Sequence, residues 1–312
     1  MSGPWVIKPC RAWALARAGV VAGCAALLAA CSPFNHTGPD SPVPLAAVPA
    51  LQSAPRVALV LGSGGPRGYA HIGALKVLEE AGIQADLVVG SSVGALLGAF
   101  WADGVSAQRM DELSREGGPL TVFDPSPFAD RGWIVGQRLQ DYVNDHLSTT
   151  RIEQLRRPLV VVATRRADKA PVFFRQGNVG VAVRASSAIP KVISPVGIEG
   201  TEYEDGDESL PVAVRAAREA GARFVIAIDV SARPGSAPEG VNPEWLVRDA
   251  SRRSRIDPEV AKADFLIHPD MGYFASPREA FFNRARQAGE DEARRLLPAL
   301  QLKLRQAGLY QR

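Results

Sequence analysis

Cysteine is scarce in this chain. Cys10, Cys24 and Cys31 are the only three, all near the N-terminus. Beyond Cys31 there is no thiol, so the rest of the chain can hold no disulfide. Charge of one sign is lacking as well. A net charge of +3 over 312 residues gives no reason to expect nucleic acid, whose partners present a strongly basic surface. The uncharged run Ala18–Ala30 holds 13 residues, short of the ~20 that a membrane-spanning helix needs. Histidine is limited to His36, His71, His146 and His268, which restricts any mechanism that needs an imidazole. No internal repeat is visible. What is abundant is ordinary: 46% hydrophobic and 22% charged residues make a globular chain, long enough for one large domain or two small ones.

The N-terminus reads as a targeting segment. Lys8, Arg11 and Arg17 precede the apolar run, and small residues close it, the layout of an export signal. Its end, Leu28-Ala29-Ala30-Cys31, resembles the lipobox of bacterial lipoproteins. That resemblance implies removal of residues 1–30, acylation of Cys31 and a membrane-anchored protein. Ser32, being other than Asp, implies sorting to the outer membrane, with the protein expected to face the periplasm. Acylation also accounts for the one leftover thiol, and several acyl chains give a stable anchor at ~0.8 kcal/mol per buried CH2. Residues 31–55 are rich in proline without an apolar period and read as an extended tether. The folded domain is expected over 56–312.

Two strand–loop–helix units open that domain. Val57–Leu61 is a short β-branched apolar run, Gly62–Gly68 a glycine loop, and Tyr69–Glu80 has helical apolar spacing. Ala85–Val89, Gly90–Gly94 and Val93–Ala102 repeat the pattern. Later strands are expected at Leu159–Ala163, Val172–Arg175, Phe224–Val230 and Phe265–His268, with a helix over Pro211–Ala220 and two helices after the last strand. Such alternation predicts an α/β fold with a mostly parallel sheet covered on both faces. The glycine loop does not suit a nucleotide. Counting Gly-x-Gly-x-x-Gly from Gly62, the third position holds Arg67, and no Gly-Lys-Ser/Thr follows a strand. Backbone N–H groups freed by small residues suit an oxyanion hole better. Gly64 and Gly65 are its natural donors; Pro66 has no N–H; Arg67 is placed to order the loop by bonding carbonyls.

Gly90-Ser91-Ser92-Val93-Gly94 matches the nucleophile elbow Gly-x-Ser-x-Gly, between a strand and a helix. The residues two before and two after the nucleophile lie against each other and must be small. Around Ser92 these are Gly90 and Gly94; around Ser91 they would be Val89 and Val93. Geometry therefore selects Ser92, with Ser91 supplying a hydroxyl to the turn or cap. A serine nucleophile needs a base. His268, after the last expected strand, is one candidate. Asp205-Gly206, on a turn before a helix, is another.

Gly64–Gly68 with "AHIGALKVLEEAGI", the Gly-Ser-Ser-Val-Gly elbow, "ASSAIPKVISPV", and Asp-Gly followed by "FVIAIDVS" resemble, in order and spacing, the bacterial patatin-like phospholipases. The likeness covers about 56–230, leaving 231–312 as a helical extension. It implies a single three-layer α/β/α domain and a Ser–Asp dyad without histidine: Ser92 as nucleophile, Asp205 as base, Gly64 and Gly65 in the oxyanion loop, with Ser63, Arg67 and Gly68 as its support. It further implies hydrolysis of phospholipids or other acyl esters without metal or organic cofactor. Two positions depart from the family pattern. Ser63 replaces the loop's first Gly, and Asp207 replaces the small residue after Asp-Gly, placing a second carboxylate where it would raise the pKa of Asp205. The alternatives are an esterase that uses His268 and a catalytically weak lipoprotein with a binding or envelope role. The arginines Arg252, Arg253, Arg255, Arg294 and Arg295 read as a solvated helix face, and Phe123, Phe128 and Trp133 as lining, cap or core.

Overall fold

The apolar strand segments of the sequence carry no polar alternation, which is the pattern of strands covered on both faces. A computed structural model, describing residues 35–116 and 121–310, shows the resulting sheet. The expected signal peptide and Cys31 lie outside the described residues. The main strands are β1 (Val57–Leu61), β2 (Leu87–Ser91), β3 (Leu159–Arg165), β4 (Pro171–Phe174), β5 (Val196–Ile198), β6 (Thr201–Glu204), β7 (Phe224–Ile228) and β8 (Phe265–Ile267). Their order across the sheet is β5-β6-β3-β2-β1-β7-β8, with β4 also on β3. The run from β3 to β8 is parallel, while β4 and β6 meet β3 antiparallel. Alternate side chains serve two cores. Leu59, Leu61, Val88, Val161 and Ile226 point to one face; Ala58, Val60, Val89, Val160 and Val225 point to the other. Each such side chain contributes about 1.5–3 kcal/mol on burial.

Helices cover both faces. The first core packs α1 (Tyr69–Glu80), α2 (Val93–Asp103), α3 (Ala107–Arg115), α4 (Gln137–His146), α5 (Val179–Ser186) and α8 (Glu279–Gln306). The second packs α6 (Val214–Glu219) and part of α7 (Pro243–Val260), through Ile256. The three-layer α/β expectation therefore holds for the fold.

Three local readings change. β2 runs two residues further than expected and takes in Ser91, paired with Val162. The helix expected from Pro211 begins at Val214, because the Pro211 carbonyl is committed to the amide of Ser63 at 2.9 Å. One helix, not two, follows the last strand; Phe281, Ala285, Gly289, Ala293, Leu300 and Leu304 make one buried stripe along it, uninterrupted by Pro298. Residues 231–310 are thus part of the fold itself: they supply β8, α7 and α8.

The proline-rich segment is extended but not free. Pro44 and Leu45 pair antiparallel with Phe174 and Phe173. Asp40 accepts from the Asn178 amide at 2.8 Å, Pro49 from Arg175 at 3.1 Å, and the Leu51 amide donates to Ala220 at 3.1 Å. Val48 is buried in the second core. Proline removes donors but leaves carbonyls and an extended backbone, and the edge of β4 supplies the partners.

The tightest helix contact is α1 against α8. A Cβ on Gly73 would run into the Arg286 carbonyl, and one on Gly289 into the backbone of Ala70. Tyr69 stacks on Phe282 with ring centroids 4.2 Å apart. Since added volume here strikes backbone, Gly289→Ala should lower stability by about 2 kcal/mol or more. Urea unfolding of the variant against wild type checks this; an unchanged midpoint and slope would show that the helices separate freely.

Candidate active site

Three loops at the ends of strands build this site. The first is the elbow after β2. A Cβ on Gly90 would strike the Gly94 carbonyl, and one on Gly94 would strike the Leu61 carbonyl. Only two glycines let α2 start so close to β1 and β2. Ser92, at the tip, has φ 54°, a left-handed conformation that costs a non-glycine residue on the order of 1 kcal/mol or more. Its amide donates to Ser186 Oγ at 2.8 Å, and Ser186 in turn donates to the Val162 carbonyl at 2.5 Å. Its carbonyl accepts from Ala95 at 2.8 Å. Although Ser92 occupies the N-cap of α2, its side chain makes no capping bond. It is turned the other way: Oγ donates to Asp205 Oδ2 at 2.8 Å, with both residues buried.

Strand register explains how residues so distant in sequence meet. β2 pairs with β3 only as far as Ser91 opposite Val162. β6 takes up the same edge at Glu204 opposite Thr164. Asp205 therefore arrives just past the end of β2. Gly206 is needed there, because a Cβ would strike Ser91 Oγ. Asp205 is pinned by its amide to the Ala188 carbonyl at 3.0 Å, by its carbonyl to Thr164 Oγ1 at 2.8 Å, and by Oδ1 to the Asp207 amide at 2.8 Å. Its pKa is raised to about 8, chiefly by burial and then by the neighbouring Asp207 carboxylate; the bonds from the Asp207 amide and Ser92 oppose the rise. Ser91 does not cap the helix. It sits inside β2 with Oγ buried and, among the described residues, unpartnered.

The third element is the glycine loop after β1. Its stem is fully bonded. The Gly62 amide donates to Ile228 at 3.0 Å, and its carbonyl lies 2.8 Å from His71 Nε2. Burial lowers the His71 pKa to about 4, so the ring is neutral and serves as a fixed donor. The Ser63 amide is spent on the Pro211 carbonyl at 2.9 Å, so it is not available to an oxyanion. Gly64 and Gly65 are different: among the described residues, nothing accepts from their amides. A Cβ on Gly64 would come within 2.7 Å of Val230, whereas the space around Gly65 is open. Gly68 lies against Val93, where any Cβ would collide. Arg67 donates to the carbonyls of Gly272, at 3.0 Å, and Tyr273, tying the glycine loop to the segment before α8.

The remaining expectations sort clearly. Structure brings together Ser92, Asp205, Gly64, Gly65, Ser63, Arg67, Gly68, Gly90 and Gly94 around adjoining strand ends. It does not bring His268 to Ser92; His268 Nε2 lies 3.0 Å from the Ser231 carbonyl and 3.8 Å from Asp229, which is bonded to Arg253. Ser186 was missed as the anchor of the Ser92 amide, although it lies inside the quoted "ASSAIP" stretch. Arg252 was placed on a solvated face, yet its guanidinium donates to Asp207 Oδ1 at 2.7 Å and to the Ser63 carbonyl and Oγ at 3.0 and 2.9 Å. No local signal marks it, because α7 is separated from both partners by dozens of residues. The loop around Phe123, Phe128 and Trp133 is not core: Phe128 is 87% exposed and Trp133 is 56% exposed. It is fastened through Trp133 and Ile134 to the Val192 carbonyl, close in sequence to the Ala188 that holds Asp205.

This arrangement offers a hydroxyl on a strained turn, a carboxyl group that accepts its hydrogen bond, and two unspent amides on a neighbouring loop. A model of the patatin-like phospholipase family matches residues 59–214, half of the chain. An NTE family protein of Mycobacterium bovis is 38% identical over 217 residues, 66% of this chain and 59% of that protein. Lysophospholipase nte1 of Aspergillus fumigatus is 29% identical over 194 residues, 59% of this chain and 12% of its own length. The chain thus spans about three-fifths of the mycobacterial relative. Among solved structures, VipD from Legionella pneumophila has a similar fold, with a TM-score of 0.52 at 14% identity, covering 84% of this chain and 71% of VipD. This chain belongs to the patatin-like phospholipase family.

Proposed function

We propose that this protein is a serine acyl hydrolase that cleaves carboxylic esters of lipids through a Ser92–Asp205 dyad. The observation that carries the reading is the 2.8 Å bond from Ser92 Oγ to Asp205 Oδ2, made between two buried residues at the end of β2, while the free amides of Gly64 and Gly65 lie on the loop that leaves the neighbouring strand β1. Asp205 takes the hydroxyl proton as Ser92 Oγ attacks the ester carbonyl. The two amides, with the N-terminus of α2 behind the serine, stabilise the oxyanion. Collapse expels the alcohol, which takes the proton, and leaves an acyl-serine. Water then gives a proton to Asp205 as it attacks the acyl-serine, and collapse of the second tetrahedral intermediate breaks the Oγ–acyl bond, frees the acid and returns the proton from Asp205 to Ser92 Oγ. A phospholipid or lysophospholipid is the substrate class we favour. The family, the lysophospholipase relative and the exposed Phe128 and Trp133 support it. We further propose that acylated Cys31 keeps the protein on the outer membrane, facing the periplasm.

The dyad is tested by hydrolysis of esters of graded chain length. Ser92→Ala and Asp205→Asn should each lose ~10³-fold or more in kcat, whereas His268→Ala should retain most activity. Full activity in either dyad variant would reject the dyad, and loss in both Ser92→Ala and His268→Ala with Asp205→Asn still active would favour a Ser92–His268 triad. Activity absent from wild type on a broad ester panel, and unmoved by Ser92→Ala, would favour the binding role.

The raised pKa of Asp205 sets a pH dependence. The base acts only as carboxylate, and its folded pKa lies above the ordinary value, at about 8. kcat/KM should therefore rise with pH through about 8 and level off above it. A flat profile between pH 6 and 9 would contradict Asp205 as the base.

Anchoring is tested in cells. Cys31→Ala should abolish palmitate labelling and move the protein from the membrane to the soluble fraction; a variant that stays membrane-bound would rule out Cys31 as the anchor.

A further inference from the structure

The two departures from the family pattern are not independent. Ser63 lies on the glycine loop and Asp207 on the turn after β6, 144 residues apart, yet Ser63 Oγ donates to Asp207 Oδ1. A third residue joins them. Arg252, on α7, donates from Nε to Asp207 Oδ1 at 2.7 Å, and from Nη2 to the Ser63 carbonyl at 3.0 Å and Ser63 Oγ at 2.9 Å. The guanidinium side chain is only 18% exposed. A glycine in place of Ser63 would supply no hydroxyl, and a small residue in place of Asp207 no carboxylate, so the clamp needs both departures together.

We propose that Arg252 is a positioning residue of the site, clamping Asp207 to Ser63 so that the second carboxylate is held off the base while the oxyanion loop is held still. The inference rests on the Ser92–Asp205 reading. Two physical consequences follow. Asp207 stands beside Asp205 and disfavours its ionised form; a neighbouring guanidinium that fixes and neutralises Asp207 limits that effect. Ser63 is also tied at three points, its amide to Pro211, its carbonyl and its Oγ to Arg252, which leaves the next two amides, Gly64 and Gly65, on a fixed stem. The hydroxyl is turned to Asp207, satisfied, and does not compete for the oxyanion.

The charges that face this cluster come from several elements. Glu208 adds to the negative field on Asp205 and is itself near Glu204, Lys169 and Arg255. Arg67 on the loop and Asp229 after β7 both feel Arg252. Removal of Arg252 therefore leaves a net excess of carboxylate around the base.

The experiment is a set of pH–rate profiles, with labelling of Ser92 by a fluorophosphonate as a second readout. Wild type is compared with Arg252→Ala, Arg252→Lys, Asp207→Asn and the Asp207→Asn/Arg252→Ala double variant. Arg252→Ala should shift the rising limb to higher pH, lowering kcat/KM about three- to tenfold at pH 7, with partial recovery at high pH. Arg252→Lys, which restores the charge, should return the limb toward wild type. Asp207→Asn should shift the limb to lower pH. In the Asp207→Asn background, removal of Arg252 should leave the limb in place and reduce only the plateau, through the loosened Ser63 carbonyl. An equal limb shift in both backgrounds would mean that Arg252 acts by its own field and not through Asp207. A limb that stays put in Arg252→Ala would reduce Arg252 to a scaffold residue. Should Arg252→Ala fail to fold, as judged by thermal melting, the Asp207→Asn profile decides: an unmoved limb overturns the proposal. Failure of the dyad itself is distinguishable, because then Ser92→Ala would keep both hydrolysis and labelling.

Discussion

Everything in the candidate site depends on how closely the first turn of α2 can approach the ends of β1 and β2. Gly94 lies on the Leu61 carbonyl, and Gly90 lies under the Gly94 carbonyl. A methyl group at either position would push the helix away from the sheet. The turn between them has no relaxed solution for Ser92, which is held at φ 54°. That conformation points Oγ past the end of the sheet, where a neighbouring strand can deliver a carboxylate. The Ser186 hydroxyl, fixed by Val162, takes the Ser92 amide, so the buried N–H at the tip of the strained turn has a partner.

The electrostatic cost of the site lies at Asp205. A carboxylate buried to this degree is disfavoured in its charged form, and a second carboxylate two residues away adds to the penalty. The structure offsets this with bonds rather than with a buried cation at the base: the Asp207 amide and the Ser92 hydroxyl both donate to it. Neutralisation happens one step out, where Arg252 meets Asp207. A carboxyl group held this way takes up a proton readily because burial and Asp207 disfavour its charged form.

Much of this was legible in the chain, for particular reasons. The elbow could be read because its steric rule involves residues two apart, and Gly90 and Gly94 satisfy it around only one of the two serines. The strands β1, β2, β3 and β7 announced themselves as uninterrupted apolar runs because both of their faces are covered. Asp205 could not be chosen over His268 by local pattern. Its meeting with Ser92 depends on where β2 stops against β3 and where β6 begins, which is a matter of register between distant segments. Arg252 was hidden for the same reason and also because an arginine among arginines looks like a solvated face. The single long α8 was misread as two helices, since its buried stripe crosses Pro298 without a break.

The proline-rich segment before β1 reads from sequence as an extended tether, yet its carbonyls and amides are taken up along β4 and neighbouring loops, starting with His36, whose carbonyl accepts from Glu199 at 3.0 Å. This changes the mechanics of anchoring. A free tether from Cys31 to Arg56 would give a leash of about 85 Å when fully drawn out, at ~3.4 Å per residue. With the chain fastened from His36 onward, five residues remain, and the leash shrinks to about 17 Å. Were Cys31 the anchor, the fold could stand no further from it than that span, which is about a fifth of the reach the whole proline-rich stretch would give.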